Sequence, residues 1–306
     1  GEVYGVEITY DYYRIFYYVA KYKSFSKAAN VLGSNQPNIT KFMNNLESQL
    51  RCKLFVRSNR GTVLTPEGEK LYTHVAVAYE HLRKAELELT DDKSLQSGVV
   101  TIGSCESALH GILLPVLENF HARYPGIRLC ISNISTSQAL QLLRNGVSDF
   151  AVVTTPTNIL PHFNETTLST FHDLLIGSRQ YRFLCKTPLH YVDILSYPMI
   201  GLGKGTMTYE FYTQLFLKNG LVWKLDTEVG TTNQLLPMIE CNLGIGFLAD
   251  FLARNAIETG RVFQIPLCME MPEREILLVE DKTRRLSIAA NRFKKMLIDY
   301  SNGLCR

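Results

Sequence analysis

Between residues 10 and 65 the apolar positions recur at helical spacing. Tyr13, Phe16 and Ala20 step along one face of a first helix. Ser24 is placed to cap a second helix that carries Ala28, Ala29 and Leu32. Leu32-Gly33-Ser34 predicts a short turn in which Gly33 takes a positive φ without strain. Asn35 then caps a third helix, with Pro37 in its first turn, where a missing N–H costs nothing. Ile39, Phe42 or Met43, Leu46 and Leu50 form the buried stripe of that helix. Two short helices joined by a glycine-containing turn make a helix-turn-helix pattern, and the small Ala28 and Ala29 let the second helix approach the third closely.

The opposite face of the third helix carries Gln36, Asn38, Thr40, Lys41, Asn44 and Asn45. These are side chains that read base edges and hold phosphates: amides pair with adenine, and lysine finds guanine or phosphate. No acid interrupts the face before Glu47, so a phosphate backbone can approach it. Leu54 and Phe55 then turn inward, and Arg57, Asn59 and Arg60 fall on a turn with Gly61 ahead of Val63 and Leu64. That pattern predicts a small hairpin, or wing, whose arginines enter a minor groove.

Thr65-Pro66-Glu67 is a helix start: a threonine cap, proline in the first turn and an acid at the positive dipole end. Leu71, Val75, Ala78, Leu82, Ala85 and Leu89 follow in steps of four and three, a narrow heptad seam. Such a seam suits a dimer interface; packing on its own domain stays open as the alternative.

From Gly98 onward strands and helices alternate. The strand Gly98–Gly103, a helix over 109–124, a strand over 128–134, a helix over 137–145 closed by Gly146, and a strand over 149–153 predict a parallel sheet. A similar alternation begins near Met199, with helices near 207–219, 233–242 and 250–258, and a last helix over 287–301 packs on the first half. Two such lobes, with the chain crossing near 160–180 and returning near 266–275, make a hinged clamshell. Ligands of open α/β sheets bind at the carboxyl ends of strands, where helix N-termini favour an anionic group. The residues there are small and polar: Ser104, Ser107, Ser135, Thr136, Thr154 and Thr155 in the first lobe, then Gly201 to Thr206, Thr231 and Thr232 in the second. Each hydroxyl serves equally as a plain helix cap.

Charge sharpens the division. Residues 11–65 hold nine Lys and Arg against two Asp and Glu, while the rest holds 23 against 27. A basic block at one end is the electrostatic footprint of a polyanion binder. The seven cysteines, at 52, 105, 130, 185, 241, 268 and 305, are odd in number and lack paired CxxC spacing, which fits free thiols in a reducing cytoplasm. No apolar run is long enough for a membrane span, and the tyrosine-rich first twenty residues, with Glu2, Glu7 and Asp11, do not form an export signal. The tyrosines of the first helix read as packing residues. Gly201–Thr206 lacks P-loop spacing and reads as a strand-to-helix turn from which Lys204 can meet an effector carboxylate. Cys105, Glu106 and His110 lack the further ligands a metal needs, although Cys105 lies near enough to the cleft for redox sensing. No GxSxG, HExxH or other nucleophile–base set occurs, so no enzyme, cofactor or metal is expected.

The runs Ser24-Phe25-Ser26-Lys27-Ala28-Ala29, Asn35-Gln36-Pro37-Asn38-Ile39-Thr40, Leu46-Glu47, Leu54-Phe55-Val56-Arg57-Ser58-Asn59-Arg60-Gly61 and Leu64-Thr65-Pro66-Glu67-Gly68 together resemble the DNA-binding signature of LysR-type transcriptional regulators. The chain departs where the family usually has serine, at Asn35, which caps equally well. The resemblance implies an α+β multidomain chain. Its parts would be a winged helix-turn-helix over 1–65, a linker helix over 66–92 that dimerises, and a two-lobed, periplasmic-binding-protein-like α/β effector domain over 98–306. Lobe I is expected over 98–165 and 275–306, and lobe II over 175–270. It implies DNA contacts by Asn35, Gln36, Pro37, Thr40 and Lys41, with Arg57 and Arg60 on the wing, and effector contacts led by Ser104, Thr136 and Thr232. The expected function is effector-modulated, sequence-specific transcription regulation in the cytoplasm. The expected partners are double-stranded DNA, a small anionic effector, further copies in a homodimer or homotetramer, and RNA polymerase. Two other readings compete: a solute-binding protein with an added helical module, against which the basic first block and missing export signal count, and an enzyme, which needs a catalytic set not found.

Overall fold

The computed structural model describes residues 8–58, 61–89 and 95–303, except the side chains of 57, 58, 84 and 87–89. The chain divides into two compact units, 1–86 and 87–306.

The first unit runs α1 (Tyr10–Tyr22), α2 (Phe25–Val31), α3 (Gln36–Leu50), β1 (Phe55–Ser58), β2 (Gly61–Leu64) and α4 (Pro66–Leu89). Its helix starts follow from local chemistry. Ser24 accepts from the Lys27 N–H at 3.2 Å, and Asn35 accepts from the Asn38 N–H at 2.8 Å. Gly33 sits at φ +62° in the turn between α2 and α3. Phe16, Val19, Ala28, Ala29, Ile39, Met43, Leu46 and Leu54 form the buried centre. Met43, not Phe42, takes the central place on α3, and Phe42 is half-buried with its ring 5.1 Å from that of Tyr12. The tyrosines pack α1 on α4: Tyr17 donates to Glu80 at 2.5 Å, and Tyr18 bonds Tyr79 at 2.9 Å. Burial and the Glu80 carboxylate push the Tyr17 phenol far above its ordinary range.

Thr65 ties α4 back to the strand before it, accepting from the Gly68 N–H at 3.0 Å and donating to the Lys53 carbonyl at 2.6 Å. Gly68 is required there, because a Cβ would stand 2.2 Å from the Leu54 carbonyl oxygen. The expected wing is an antiparallel pair with Phe55 opposite Leu64 and Ser58 opposite Gly61.

The heptad seam is only partly an outward face. Val75 is buried against α1, and Leu71 packs on the same core, while Ala78, Leu82 and Ala85 are exposed. The periodicity was shared between two surfaces because the tyrosines of α1 cover the first half of α4. The Leu89 side chain lies outside the described residues.

The second unit holds two five-stranded sheets. The first comprises β3 (Gly98–Ser104), β4 (Ile127–Asn133), β5 (Phe150–Thr154), β6 (Phe163–Phe171) and β12 (Arg274–Asp281), in the order β4-β3-β5-β12-β6. The second comprises β7 (Asp173–Ser178), β8 (Met199–Leu202), β9 (Thr227–Val229), β10 (Ile245–Ala249) and β11 (Val262–Gln264), in the order β11-β7-β10-β8-β9. On the first sheet pack α5 (Glu106–Ala108), which continues through a π-helical turn at Leu109–Leu113 into α6 (Leu114–Arg123), together with α7 (Thr136–Arg144) and α12 (Ile288–Ser301). On the second lie α8 (Tyr191–Ile194), α9 (Met207–Lys218), α10 (Leu235–Glu240) and α11 (Asp250–Glu258).

Both sheets are mixed, not parallel throughout. β3, β4 and β5 are parallel, but β12 runs antiparallel to β5 and β6; in the second sheet β7 is antiparallel to β10 and β11. The antiparallel strands are those that pass between the lobes, so their direction is set by the crossing and not by a helix. The first lobe therefore extends to Phe171, beyond the expected 165, and the chain crosses at His172 and returns just before Arg274. Asp149 joins β3 to β5 locally: its carboxylate accepts from the Thr101 N–H at 2.7 Å and hydroxyl at 2.8 Å.

Candidate nucleic-acid interface and effector cleft

On α3 the inward stripe Ile39, Met43 and Leu46 is sealed in the core, which turns the other face to solvent. Asn35, Gln36, Pro37, Asn38, Lys41, Asn44 and Asn45 are exposed and Thr40 is half-buried. The amides are braced: the Ser26 hydroxyl donates to Gln36 Oε1 at 2.7 Å, and Asn38 Nδ2 donates to Ser34 Oγ at 3.0 Å. Ser26 and Ser34 thus join the face, a role the sequence reading did not give them.

Glu47 does not stand on that face. It is 7% exposed, and its carboxylate accepts from the N–H groups of Leu54 at 2.8 Å and Phe55 at 3.2 Å, and from Lys53 at 2.6 Å. Burial alone would raise its pKa, but these hydrogen bonds outweigh it and hold the carboxyl below its usual range. The outward face of α3 therefore carries no acid at this position, and the wing is anchored by the one the sequence shows there. Arg57 is on β1 with its side chain outside the described residues, and Arg60 lies outside them altogether.

Alongside α1 and α4 runs an apolar groove of about 280 Å³, lined by Tyr10, Tyr13, Leu71, Val75, Ala78 and Leu82 among others.

In the second unit a cavity of about 140 Å³ lies between the two lobes. Helix starts converge on it: Glu106 and Ser107 of α5, Ser135 and Thr136 at α7, Thr206, Met207 and Thr208 at α9, and Thr231, Thr232 and Asn233 before α10. Backbone N–H groups in a first helical turn lack intrahelical partners, so the walls are rich in donors. Ser135 and Thr206 are occupied as caps, accepting from Gln138 N–H at 3.3 Å and Tyr209 N–H at 3.2 Å. Of the sequence-assigned effector residues, Ser107, Ser135, Thr136, Thr231 and Thr232 line the cavity. Ser104 is fully buried and donates to the Cys105 carbonyl at 3.1 Å, so it stays beneath the wall. Thr155 accepts from the Glu275 N–H at 2.9 Å, which ties β5 to β12, and Lys204 lines a neighbouring opening. Asn133, Met207, Thr208 and Asn233 were not foreseen; for the last three the caps at Thr206 and Thr231 were the signal, since the residues after a cap share its place.

Beneath the cavity, where the chain crosses, Arg274 is buried. Nη1 pairs with Asp173 at 2.8 Å, Nε and Nη2 donate to the Thr155 carbonyl at 3.0 and 2.7 Å, and Nη2 donates to the hydroxyls of Thr154 at 3.3 Å and Thr208 at 3.2 Å. Its guanidinium lies 5.2 Å from the Phe171 ring centre and 4.8 Å from that of Phe211. One cation thus holds groups of both lobes. Burial opposes its charge, but Asp173 and Tyr212 outweigh that and raise its pKa further. Cys105, which lines the cavity, has its sulfur 3.8 Å from Thr154 Oγ1. Among the described residues no group of three or more His, Cys, Asp or Glu is placed to hold a metal, and no helix is long and apolar enough to cross a membrane.

The comparisons with known proteins follow the same division. The family model of the bacterial regulatory helix-turn-helix protein, lysR family, matches residues 10–69, and that of the LysR substrate binding domain matches 93–301. The uncharacterized HTH-type transcriptional regulator YbhD of Escherichia coli (strain K12) is 26% identical over 292 residues, covering 94% of this chain and 90% of its own. The HTH-type transcriptional regulator YofA of Bacillus subtilis (strain 168) is 29% identical over 237 residues, covering 77% and 79%. Among solved structures, CbnR, a LysR family transcriptional regulator, superposes with a TM-score of 0.72 at 15% identity over 96% of this chain and 99% of that one, and full-length CbnR complexed with its target DNA gives the same values. A basic helix-turn-helix unit with an amide-rich outward helix, a two-lobed unit with a polar cleft, and matches to both family domains place this chain among the LysR-type transcriptional regulators.

Proposed function

We propose that α3 is the recognition helix, reading a major groove through Gln36, Asn38, Lys41 and Asn44, with Asn35, Pro37 and Thr40 at the phosphates and Arg57 and Arg60 on the wing reaching a minor groove. The observation that supports it most directly is the sealed inner stripe of α3 opposite an exposed face of amides and a lysine free of acid as far as Asn45. The groove beside α1 and α4, continued by Leu82 and Ala85, takes a second copy, so that two recognition helices meet successive half-sites. Homodimers or homotetramers act in the cytoplasm, and RNA polymerase reads the outcome. The cleft between the lobes takes a small effector with an anionic group, held by first-turn N–H groups and by Ser107, Thr136, Thr154, Thr208 and Thr232. Its occupancy biases one lobe arrangement, and through it DNA binding, as a coupling between distinct sites.

The test is a binding titration on the DNA upstream of the chain's own gene. Gln36→Ala should weaken binding and relax sequence preference, at a cost of about 1–3 kcal/mol. Lys41→Ala should weaken binding to all sequences and lower the salt slope by about one. Unchanged affinity in both variants rejects the assigned face. For the cleft, Ser107→Phe fills the cavity and should hold a promoter reporter at one level under every growth condition; a reporter that responds as before rejects the cleft.

A further inference from the structure

The walls of the cleft are unequal in chemistry. On one side hydroxyl donors gather. Thr136 is 6% exposed, lines the cavity, and its hydroxyl has no hydrogen-bond partner among the described residues. Thr154 and Thr208 also line it, and both accept from Arg274 Nη2. A guanidinium only donates, so each of these oxygens is used as an acceptor and its own hydrogen is left to point elsewhere. Three hydroxyls and the N-termini of α7 and α9 therefore call for an acceptor that carries negative charge; the Arg274 cation behind them is already answered by Asp173 and serves to orient Thr154 and Thr208.

The remaining charged group is of opposite sign. Glu106 is the one charged side chain among the described lining residues. Asn133 Nδ2 donates to its Oε2, and His110 Nε2 lies 3.1 Å from its Oε1, which fixes the carboxylate. Each oxygen of a carboxylate has two acceptor sites, so both keep one for a ligand. An anion with no positive group would be repelled by this carboxylate and leave its two free acceptor sites unused. A cation with no negative group would meet the hydroxyl donors and the positive ends of α7 and α9.

We infer that the effector is a small zwitterion, a carboxylate joined to an ammonium group as in an α-amino acid, with its carboxylate at Thr136, Thr154 and Thr208 and its ammonium at Glu106. This rests on the cleft being the effector site. Calorimetric titration of the full chain with the L-α-amino acids, each beside its deaminated acid and its decarboxylated amine, tests it. One amino acid should bind, with both truncated relatives about tenfold weaker or worse, since each loses charge-assisted hydrogen bonds. Glu106→Gln should abolish the preference for the amino acid over the deaminated acid. Thr136→Val, nearly isosteric, should weaken the amino acid several-fold and leave that preference in place; thermal melts confirm that both variants fold. A deaminated acid that binds as tightly as its amino acid, and is weakened by Thr136→Val, overturns the zwitterion and leaves the cleft standing. Amines that bind as well, or no binding across the panel, likewise overturn the zwitterion, and the reporter experiment then decides the cleft. Binding indifferent to both variants removes the ligand from the cleft and overturns both.

Discussion

Replacing Arg274 with methionine should be among the most damaging single changes in the second unit. Methionine nearly fills the space between Phe171 and Phe211, so the loss is electrostatic more than volumetric. Asp173 is 4% exposed and, among the described residues, its carboxylate keeps only the Tyr212 hydroxyl, which donates at 2.6 Å to the same Oδ2 that Arg274 holds. The Thr155 carbonyl loses two donors. Breaking a buried pair by removing one partner costs about 3–5 kcal/mol, because the other charge stays behind uncompensated. The pair itself is worth far less, since two desolvation costs oppose its attraction. Arg274→Met with Asp173→Leu should therefore recover part of the loss, leaving about 1–3 kcal/mol each for the unpaired Tyr212 hydroxyl and Thr155 carbonyl. Urea unfolding of both variants, followed by tryptophan fluorescence, reads this, because Trp223 stacks 5.0 Å from Tyr212. A single variant within about 1 kcal/mol of the parent, or a double variant no better than the single, would show that the stranded-charge argument is wrong.

The first unit offers three further tests. Glu47 has a folded pKa below its unfolded value, so its contribution is full above about pH 4.3 and fades as pH falls through the lower folded value. The stability gap between the parent and Glu47→Gln, measured by urea unfolding from pH 7 to pH 3, should narrow in acid; a gap constant across that range refutes the linkage. Gly68→Ala should destabilise by about 1–3 kcal/mol in thermal or urea unfolding, since the clash with the Leu54 carbonyl exceeds the roughly 1 kcal/mol that alanine gains in a helix. Leu82→Glu, on the exposed end of the groove, should leave the melting temperature of the unit nearly unchanged while weakening self-association in sedimentation; an unaltered dimer places the interface elsewhere.

Much of the first unit was legible because its signals are local. Caps at Ser24, Asn35 and Thr65, the turn at Gly33 and the stripe Ile39–Leu46 each act within a few residues, and periodicity alone separates the inward from the outward face of α3. Local signals could not say whether Met43 or Phe42 faces the core, that Glu47 turns inward to the Leu54 and Phe55 N–H groups, or that α1 covers the first half of the heptad seam. Those outcomes depend on which distant surface arrives there.

The second unit shows the same limit at longer range. Strand and helix alternation determined that there would be two sheets, and the hydroxyls after the strands marked where a cleft would open. The sequence by itself had no means to orient β6, β7 and β12, because a strand's direction in a sheet is fixed by the route of the chain and not by its own side chains. It could not single out Arg274 either. Its partners Thr155, Asp173 and Thr208 stand 119, 101 and 66 positions away, and only the closing of both sheets around one crossing brings them within bonding distance.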